Sequence, residues 1–120
     1  MSENEQVRTV KVRLHLPPGV KPMAGAMLHL KVEDVSFADR AAPVIAETVS
    51  GYPADNRAEI DVPVALVDPT MSYSLFLHIS IDGSTRIETG DFISPQVHPV
   101  LTHEGAQVVE ATLIRVGKPG

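Results

Sequence analysis

Apolar and polar residues alternate with a period of two along much of the chain. The segments with this alternation are 10–16, 28–33, 60–64, 73–81 and 108–116, and 44–49 is a further strand-like run after Pro43. Such alternation is typical of half-buried antiparallel strands, because successive side chains point to opposite faces. Segment 108–116 is apolar on both faces, so we expect it to form the most central strand.

Turn signals separate these runs at short intervals. Pro17-Pro18-Gly19, Gly51 to Asn56, Asp68-Pro69 and Ser94-Pro95 all interrupt the alternation, and Asp82-Gly83 is a hairpin cue that leads into 84–88. Short strands with frequent turns predict an all-β fold. The expected architecture is an antiparallel two-sheet β-sandwich of about 7–8 strands, of immunoglobulin or transthyretin type.

One stretch competes with the all-β prediction. Ser36 could cap a helix that runs to Glu47, but Pro43 would lie in its interior at a cost of about 3 kcal/mol. We therefore expect 36–42 to be a loop with at most one helical turn, and 67–72 could form another. The predicted organisation is a single domain over 7–116, between flexible ends at 1–6 and 117–120.

Composition removes several classes of function. The 120 residues include no cysteine, which excludes disulfides, thiol catalysis and cysteine-ligated metals. The net charge of −5 argues against a nucleic-acid-binding protein. No apolar run reaches the 18 or so residues of a membrane helix, and the polar start predicts no secretory signal.

Histidines are the first candidates for chemistry. His15, His29 and His78 each stand between apolar strand residues, so all three are expected to point away from the core. The favoured interpretation is ordinary solvent-facing positions; the alternative is a zinc site on one sheet face. His98 and His103 have no evident partner in the sequence.

Oxygen ligands form the second candidate group. Asp34, Ser36 and Asp39 could hold calcium, but a calcium loop needs more ligands, so we expect these side chains to shape the loop. Nucleophile motifs, phosphate-binding loops and the His-Glu-x-x-His motif are all missing. We therefore predict no enzyme, no metal and no cofactor.

The strand at 73–81 carries a possible partner surface. Ser74, Phe76 and His78 lie opposite its core positions, and Phe76 is out of phase with its apolar neighbours. They form either a contact surface for a protein partner or the second covered face of a central strand. The sequence leaves these two alternatives open.

Several segments resemble the YbaY/YscW-type small lipoproteins, a family that includes the pilotins of type III secretion systems. The resembling segments are 25–36, 38–39, 42–47, 73–83, 99–102 with Gly105, and 108–116, about three-quarters of the chain. The most specific part is the Glu-Asp-Val-Ser run from Glu33 with Ala38-Asp39 and Val44-Ile-Ala-Glu47. The resemblance implies a β-sandwich without catalytic residues, which helps an outer-membrane secretin reach its membrane and assemble. It also implies a structural role for Asp34, Ser36, Asp39 and Glu47 where the chain crosses between strands.

The chain departs from the family pattern at its start, where members carry a signal peptide and a lipidated cysteine. The expected location is therefore cytoplasmic, or periplasmic or outer-membrane-associated if a natural leader is removed. The predicted function is a non-enzymatic interaction or chaperone-like module for a protein partner of the secretion apparatus or envelope, without direct membrane insertion. The alternative is a small-ligand or metal-binding β-sandwich, and the oligomeric state is left open.

Overall fold

A computed structural model describes residues 6–21, 25–37, 39, 41–83, 86–95, 98–102 and 107–117. Within these residues the chain forms nine strands and one 3₁₀ turn. In chain order they are β1 (Val7–His15), β2 (Met27–Asp34), β3 (Val44–Gly51), β4 (Arg57–Pro63), the 3₁₀ turn (Val64–Leu66), β5 (Tyr73–Ser80), β6 (Phe92–Ile93), β7 (His98–Val100), β8 (Gln107–Thr112) and β9 (Ile114–Arg115).

The strands form two sheets, which confirms the predicted all-β sandwich. The smaller sheet has the order β4-β1-β8, and the larger has the order β3-β2-β5-β6-β9, with β7 also paired to β5. The β1–β8 pair is parallel, and the other described pairs are antiparallel. The parallel pair departs from the purely antiparallel expectation, because the chain passes through the larger sheet before it returns to β1 as β8.

The core lies between the sheets and is built from the apolar half of each alternating pattern. Its largest fully buried side chains are Val10, Val12, Leu28, Leu30, Val32, Ile60, Val62, Leu75, Leu77, Ile79, Phe92 and Leu113. Each buried aliphatic side chain of this size contributes roughly 1.5–3 kcal/mol relative to an exposed one. The strands are thus fixed in register, since a slip of one residue would turn these side chains outward.

The C-terminal segment differs from its prediction as one central strand. It divides at Leu113 into β8, at the edge of the smaller sheet, and β9, at the edge of the larger sheet. Leu113 is buried and its N–H donates to the carbonyl of His15 at 2.9 Å. The segment is apolar on both faces because it crosses between the sheets. The central strand of the smaller sheet is β1 instead.

The hairpin predicted at Asp82-Gly83 differs from the observed one in the position of its return strand. Gly83 does turn the chain, with φ at 84°, but β5 pairs with β6 only after the connection formed by residues 81–91. The pairing places Ile79 opposite Phe92, beyond the predicted return strand at 84–88. Residues 84 and 85 lie outside the described residues.

Helical structure is limited, as predicted, although the turn occurs at Val64–Leu66, just before the predicted 67–72. The described part of the predicted loop at 36–42 contains no helical residue. No helix among the described residues has the length and apolar character needed to span a membrane. The predicted flexible ends fall outside the described residues except for Gln6 and Gly117, so the domain boundaries stay a prediction.

Candidate partner-binding surfaces

The three predicted partner contacts on β5 lie on the outer face of the larger sheet, the face turned away from the smaller sheet. Ser74 and Phe76 are half-buried, and the Lys31 ammonium lies 6.0 Å from the Phe76 ring centroid. His78 is only 2% exposed, so the expectation that it faces solvent is wrong. A partner role for Ser74, Phe76 and His78 stays a prediction, although at His78 both faces of the strand are covered.

His78 belongs to a buried polar cluster with His29 and Asp91. The strands β2 and β5 place His29 directly opposite His78, and their rings stack with centroids 5.0 Å apart at 18°. His78 Nε2 lies 2.8 Å from Asp91 Oδ2, and Asp91 is fully buried. His29 is 4% exposed, so its predicted outward, solvated position is wrong as well. The rings do leave the apolar core, but both are nearly fully buried on the outer face of the sheet.

Asp91 fastens the connection between β5 and β6. Its Oδ1 accepts the N–H of Ile81 at 3.1 Å, and its Oδ2 accepts the N–H of Glu88 at 3.0 Å as well as the bond with His78. Burial alone would raise the pKa of Asp91, but these hydrogen bonds from His78, Glu88 and Ile81 lower it overall. The carboxylate therefore holds both ends of the connection in place as an anion.

His29 is held in an environment that favours its neutral form. Burial is the main cause that lowers its pKa, and the neighbouring His78 lowers it further. Its Nε2 is buried and has no hydrogen-bond partner among the described residues. The stacked pair can thus close this part of the sheet, but a proton on His29 is disfavoured.

The alternative of a zinc site formed by His15, His29 and His78 on one sheet face does not agree with the positions of these described residues. His15 lies on β1 in the other sheet. Its side chain is about half exposed, and its Nε2 lies 2.6 Å from Glu110 Oε1. His98 is buried on β7, contacts the hydroxyl of Ser94, and has its pKa lowered by burial. His103 lies outside the described residues, and the part of the chain that is described holds no group of three potential metal ligands.

The predicted structural loop is tied together by hydrogen bonds. Asp34 Oδ1 accepts the N–H of Ser36 at 3.0 Å, and Ser36 Oγ accepts the N–H of Ser72 at 2.8 Å. These bonds join the end of β2 to the residue before β5, which fits the expectation that the side chains shape the loop. Asp39 is exposed, and Glu47 is exposed on β3 opposite Lys31, so their structural roles stay predictions.

A groove at one end of the sandwich was not found from the sequence. It lies where β1 and β3 end and β2 and β4 begin, and its volume is about 860 Å³. Its walls combine aliphatic, aromatic and proline side chains with a few polar ones. The lining includes Leu14, Leu16, Val20, Met27 and Tyr52. We call this region the end groove. Two features of the sequence could indicate it: the Pro17-Pro18-Gly19 loop, which predicts a turn, and Tyr52, an aromatic residue between Gly51 and Pro53.

Tyr52 and Asn56 fix one wall of the end groove. The Tyr52 hydroxyl donates to Asn56 Oδ1 at 2.6 Å, and burial raises the pKa of Tyr52. Asn56 has a φ of 58°, in the left-handed region that Asn tolerates better than most residues. Its carbonyl accepts the N–H of Leu14 at 2.8 Å, which joins this turn to β1. The wall is therefore preformed, while Leu16, Val20 and Met27 remain partly accessible.

A protein family matches nearly the whole of this fold. The family model described as "Type III secretion system lipoprotein chaperone (YscW)" matches residues 5–113. The chain belongs to the YscW family. The resemblance noted in the sequence is thereby confirmed, and the segments that carried it include β2, β3, β5 and the buried crossing at Leu113. No curated protein matches the chain significantly.

A solved structure shares the architecture of this YscW-family chain. It is described as an alternative pilotin from the type II secretion system of Vibrio cholerae. The two chains are 21% identical, with a TM-score of 0.78 over 94% of this chain and 100% of that one. At this identity the likeness shows that the fold is the same.

Proposed function

We propose that this protein is a non-enzymatic, pilotin-like chaperone that binds an apolar segment of a secretion-system component in its end groove. The family description, a secretion lipoprotein chaperone, supports the class of function. The groove itself is the observation that carries the proposal, because it is an accessible concavity at one end of the sandwich in which aliphatic and aromatic side chains lie beside polar groups.

The lining of the end groove indicates the chemistry of its occupant. Leu16, Val20 and Met27 are half-buried side chains at its surface, next to the ring of Tyr52. Concave sites lined by aliphatic and aromatic groups gain affinity mainly by burying apolar side chains of the ligand. A short segment with one or two large apolar anchors would fit this volume, and a secretin is the partner that the family resemblance implies.

Overlapping peptides that span the secretin of the source organism test the proposal directly. We expect one peptide region to bind the purified protein in calorimetry or fluorescence anisotropy. Leu16→Glu and Met27→Glu should each weaken that binding at least about tenfold, since a buried carboxylate without a partner costs more than 1.4 kcal/mol.

Val108→Glu is the matched control, because Val108 is equally apolar and 53% exposed but lies on β8, away from the groove. It should leave peptide affinity unchanged. Failure of every peptide to bind, or equal affinity of the groove variants and the control, would contradict the proposal.

Two further expectations belong to this proposal. An absence of catalysis follows from a chaperone role, and the alternative of a metal-binding domain is tested by zinc titration of the purified protein.

The predicted cytoplasmic location competes with the envelope location typical of the family's lipoproteins. Cell fractionation of the source organism with an antibody against the chain distinguishes the two.

A further inference from the structure

The outer edge of β3 is the longest strand edge that the described residues leave unpaired. β3 runs over eight residues at the end of the larger sheet and pairs only with β2. Proteins protect such edges with proline, lysine or short strands, because unpaired N–H and C=O groups attract another strand. Between 46 and 51 the sequence is Ala-Glu-Thr-Val-Ser-Gly, which contains one charge and no proline.

The two other edges in the smaller sheet are better protected. On β4 the exposed positions are the charged Arg57, Glu59 and Asp61, and the strand ends in Pro63. On β8 the central exposed side chain is Glu110, which is engaged by Arg13 and His15. A second copy of either strand, paired about Glu59 or about Glu110, would place two carboxylates opposite each other.

The backbone of β3 presents a regular row of outward groups. The N–H of Tyr52 donates to the carbonyl of Ala26 at 3.0 Å, so these two residues form a hydrogen-bonded pair of the β2–β3 ladder. Hydrogen-bonded and non-hydrogen-bonded pairs alternate along an antiparallel ladder. The N–H and C=O groups of Glu47, Val49 and Gly51 therefore point away from β2.

A register irregularity limits this row at its other end. The pairing with β2 shifts between Val32 and Glu33, so that Val32 faces Ala46 and Glu33 faces Val44. Ile45 is the extra residue of this bulge, and the regular edge begins only after it. Pro53, which lacks an N–H, follows the edge at its far end.

We propose that β3 pairs with β3 of a second copy of this chain, antiparallel about a twofold axis at Val49. In that register Val49 faces its own copy and Glu47 faces Gly51 of the other protomer. The three pairs at 47, 49 and 51 use every outward group of the regular edge and give six backbone hydrogen bonds.

The side chains fit the same register. Val49 is 51% exposed and would contact its copy at the axis, where two apolar β-branched side chains pair favourably. Glu47 is kept away from its own copy because it faces a glycine. The edge is thus complementary to itself in hydrogen bonding, in apolar contact and in charge, whereas an unrelated strand would match it only in hydrogen bonding.

Sedimentation of the wild-type protein over a range of concentrations tests the pairing. We expect a reversible monomer–dimer equilibrium with a dissociation constant of about 10–100 μM, because a single strand pair buries less area than a standard interface. Val49→Lys should raise that constant at least about tenfold, since it places two ammonium groups opposite each other at the axis. Val108→Lys, at a similarly exposed position on β8, should dimerise like the wild type.

The absence of cysteine permits a second, independent measurement. In the proposed register the two Val49 Cα atoms lie about 5.5 Å apart, within the range that a disulfide bridges. Val49→Cys should therefore form a disulfide-linked dimer under mild oxidation much faster than Val108→Cys. A wild-type protein that stays monomeric, a Val49→Lys variant that dimerises normally, or equal crosslinking of both cysteine variants would overturn the proposal; the first result would leave the edge available to a strand of another protein.

Discussion

The outer face around His78 and the end groove show opposite relations between polarity and exposure. At His78 polar side chains are buried, and Asp91 binds an imidazole and two backbone N–H groups. In the end groove, aliphatic side chains such as Leu16 and Met27 stay partly accessible. A polar surface is closed where its groups find partners within the chain. An apolar surface without such partners remains available for another molecule.

The largest effect is expected at the closed surface. Asp91→Ala would leave His78 Nε2 and the N–H groups of Ile81 and Glu88 without their shared acceptor. We expect the free energy of unfolding to fall by about 3 kcal/mol, because each buried group left unpaired costs 1–3 kcal/mol. Urea unfolding measures the loss.

Asp61→Ala is the matched control for that variant. Asp61 also accepts a hydrogen bond, from the Thr9 hydroxyl at 2.6 Å, but it is exposed. Its removal should cost less than about 1 kcal/mol, because water replaces the lost partner. If the two variants were equally stable, the buried cluster would not hold the β5–β6 connection in place.

A smaller effect should appear as a dependence of stability on pH. The pKa of His29 is lowered in the folded protein, so the unfolded chain takes up this proton first as the pH falls below about 6.5. The free energy of unfolding should therefore decrease between pH 7 and pH 5. His29→Phe keeps an aromatic ring stacked on His78 but removes the titrating imidazole, so it should reduce the slope of the free energy of unfolding against pH. Part of the slope should remain, because the pKa of His98 is also lowered.

Thermal or urea unfolding at several pH values measures this slope, and His15→Gln is the control at an exposed position. A slope that is unchanged in His29→Phe, or that is reduced equally in His15→Gln, would show that the buried pair does not set the pH response.

The smallest stability effect concerns the wall of the end groove. Asn56→Ala should lower the free energy of unfolding by about 1 kcal/mol, because alanine is strained at a φ of 58°. Asn56→Gly relieves that strain and should stay within about 0.5 kcal/mol of the wild type. Equal destabilisation by both variants would mean that the bond from Tyr52, rather than the backbone conformation, maintains the wall.

The architecture could be predicted from the sequence because it depends on local alternation. The period of two predicts that Val10, Leu28 and Leu77 face the core, and all three are buried. The path of the chain after β5 could not be predicted, because the turn at Gly83 does not indicate that the strand paired with β5 begins only at Phe92. The period of two also predicts only to which face of the sheet a side chain points, and not whether other residues cover that face.

The candidate site depends on contacts between distant parts of the sequence, which the local pattern does not contain. The pairing of β2 with β5 brings His29 and His78 together, and Asp91 contacts His78 from the connection that precedes β6. The end groove is lined by residues of the loops that follow β1 and β3. The resemblance to the YscW family indicated the class of function in advance. It named structural positions such as Asp34 and Ser36, but it gave no indication of the surface that would receive a partner.

The most direct test of the proposed role is to map where a bound secretin peptide perturbs the amide NMR spectrum of the protein. The largest shifts should fall on residues of the end groove, such as Leu16, Met27 and Tyr52, while Phe76 and Asp91 on the outer face stay unperturbed. Shifts centred on Ser74 and Phe76, or along β3, with an unaffected groove would contradict the account.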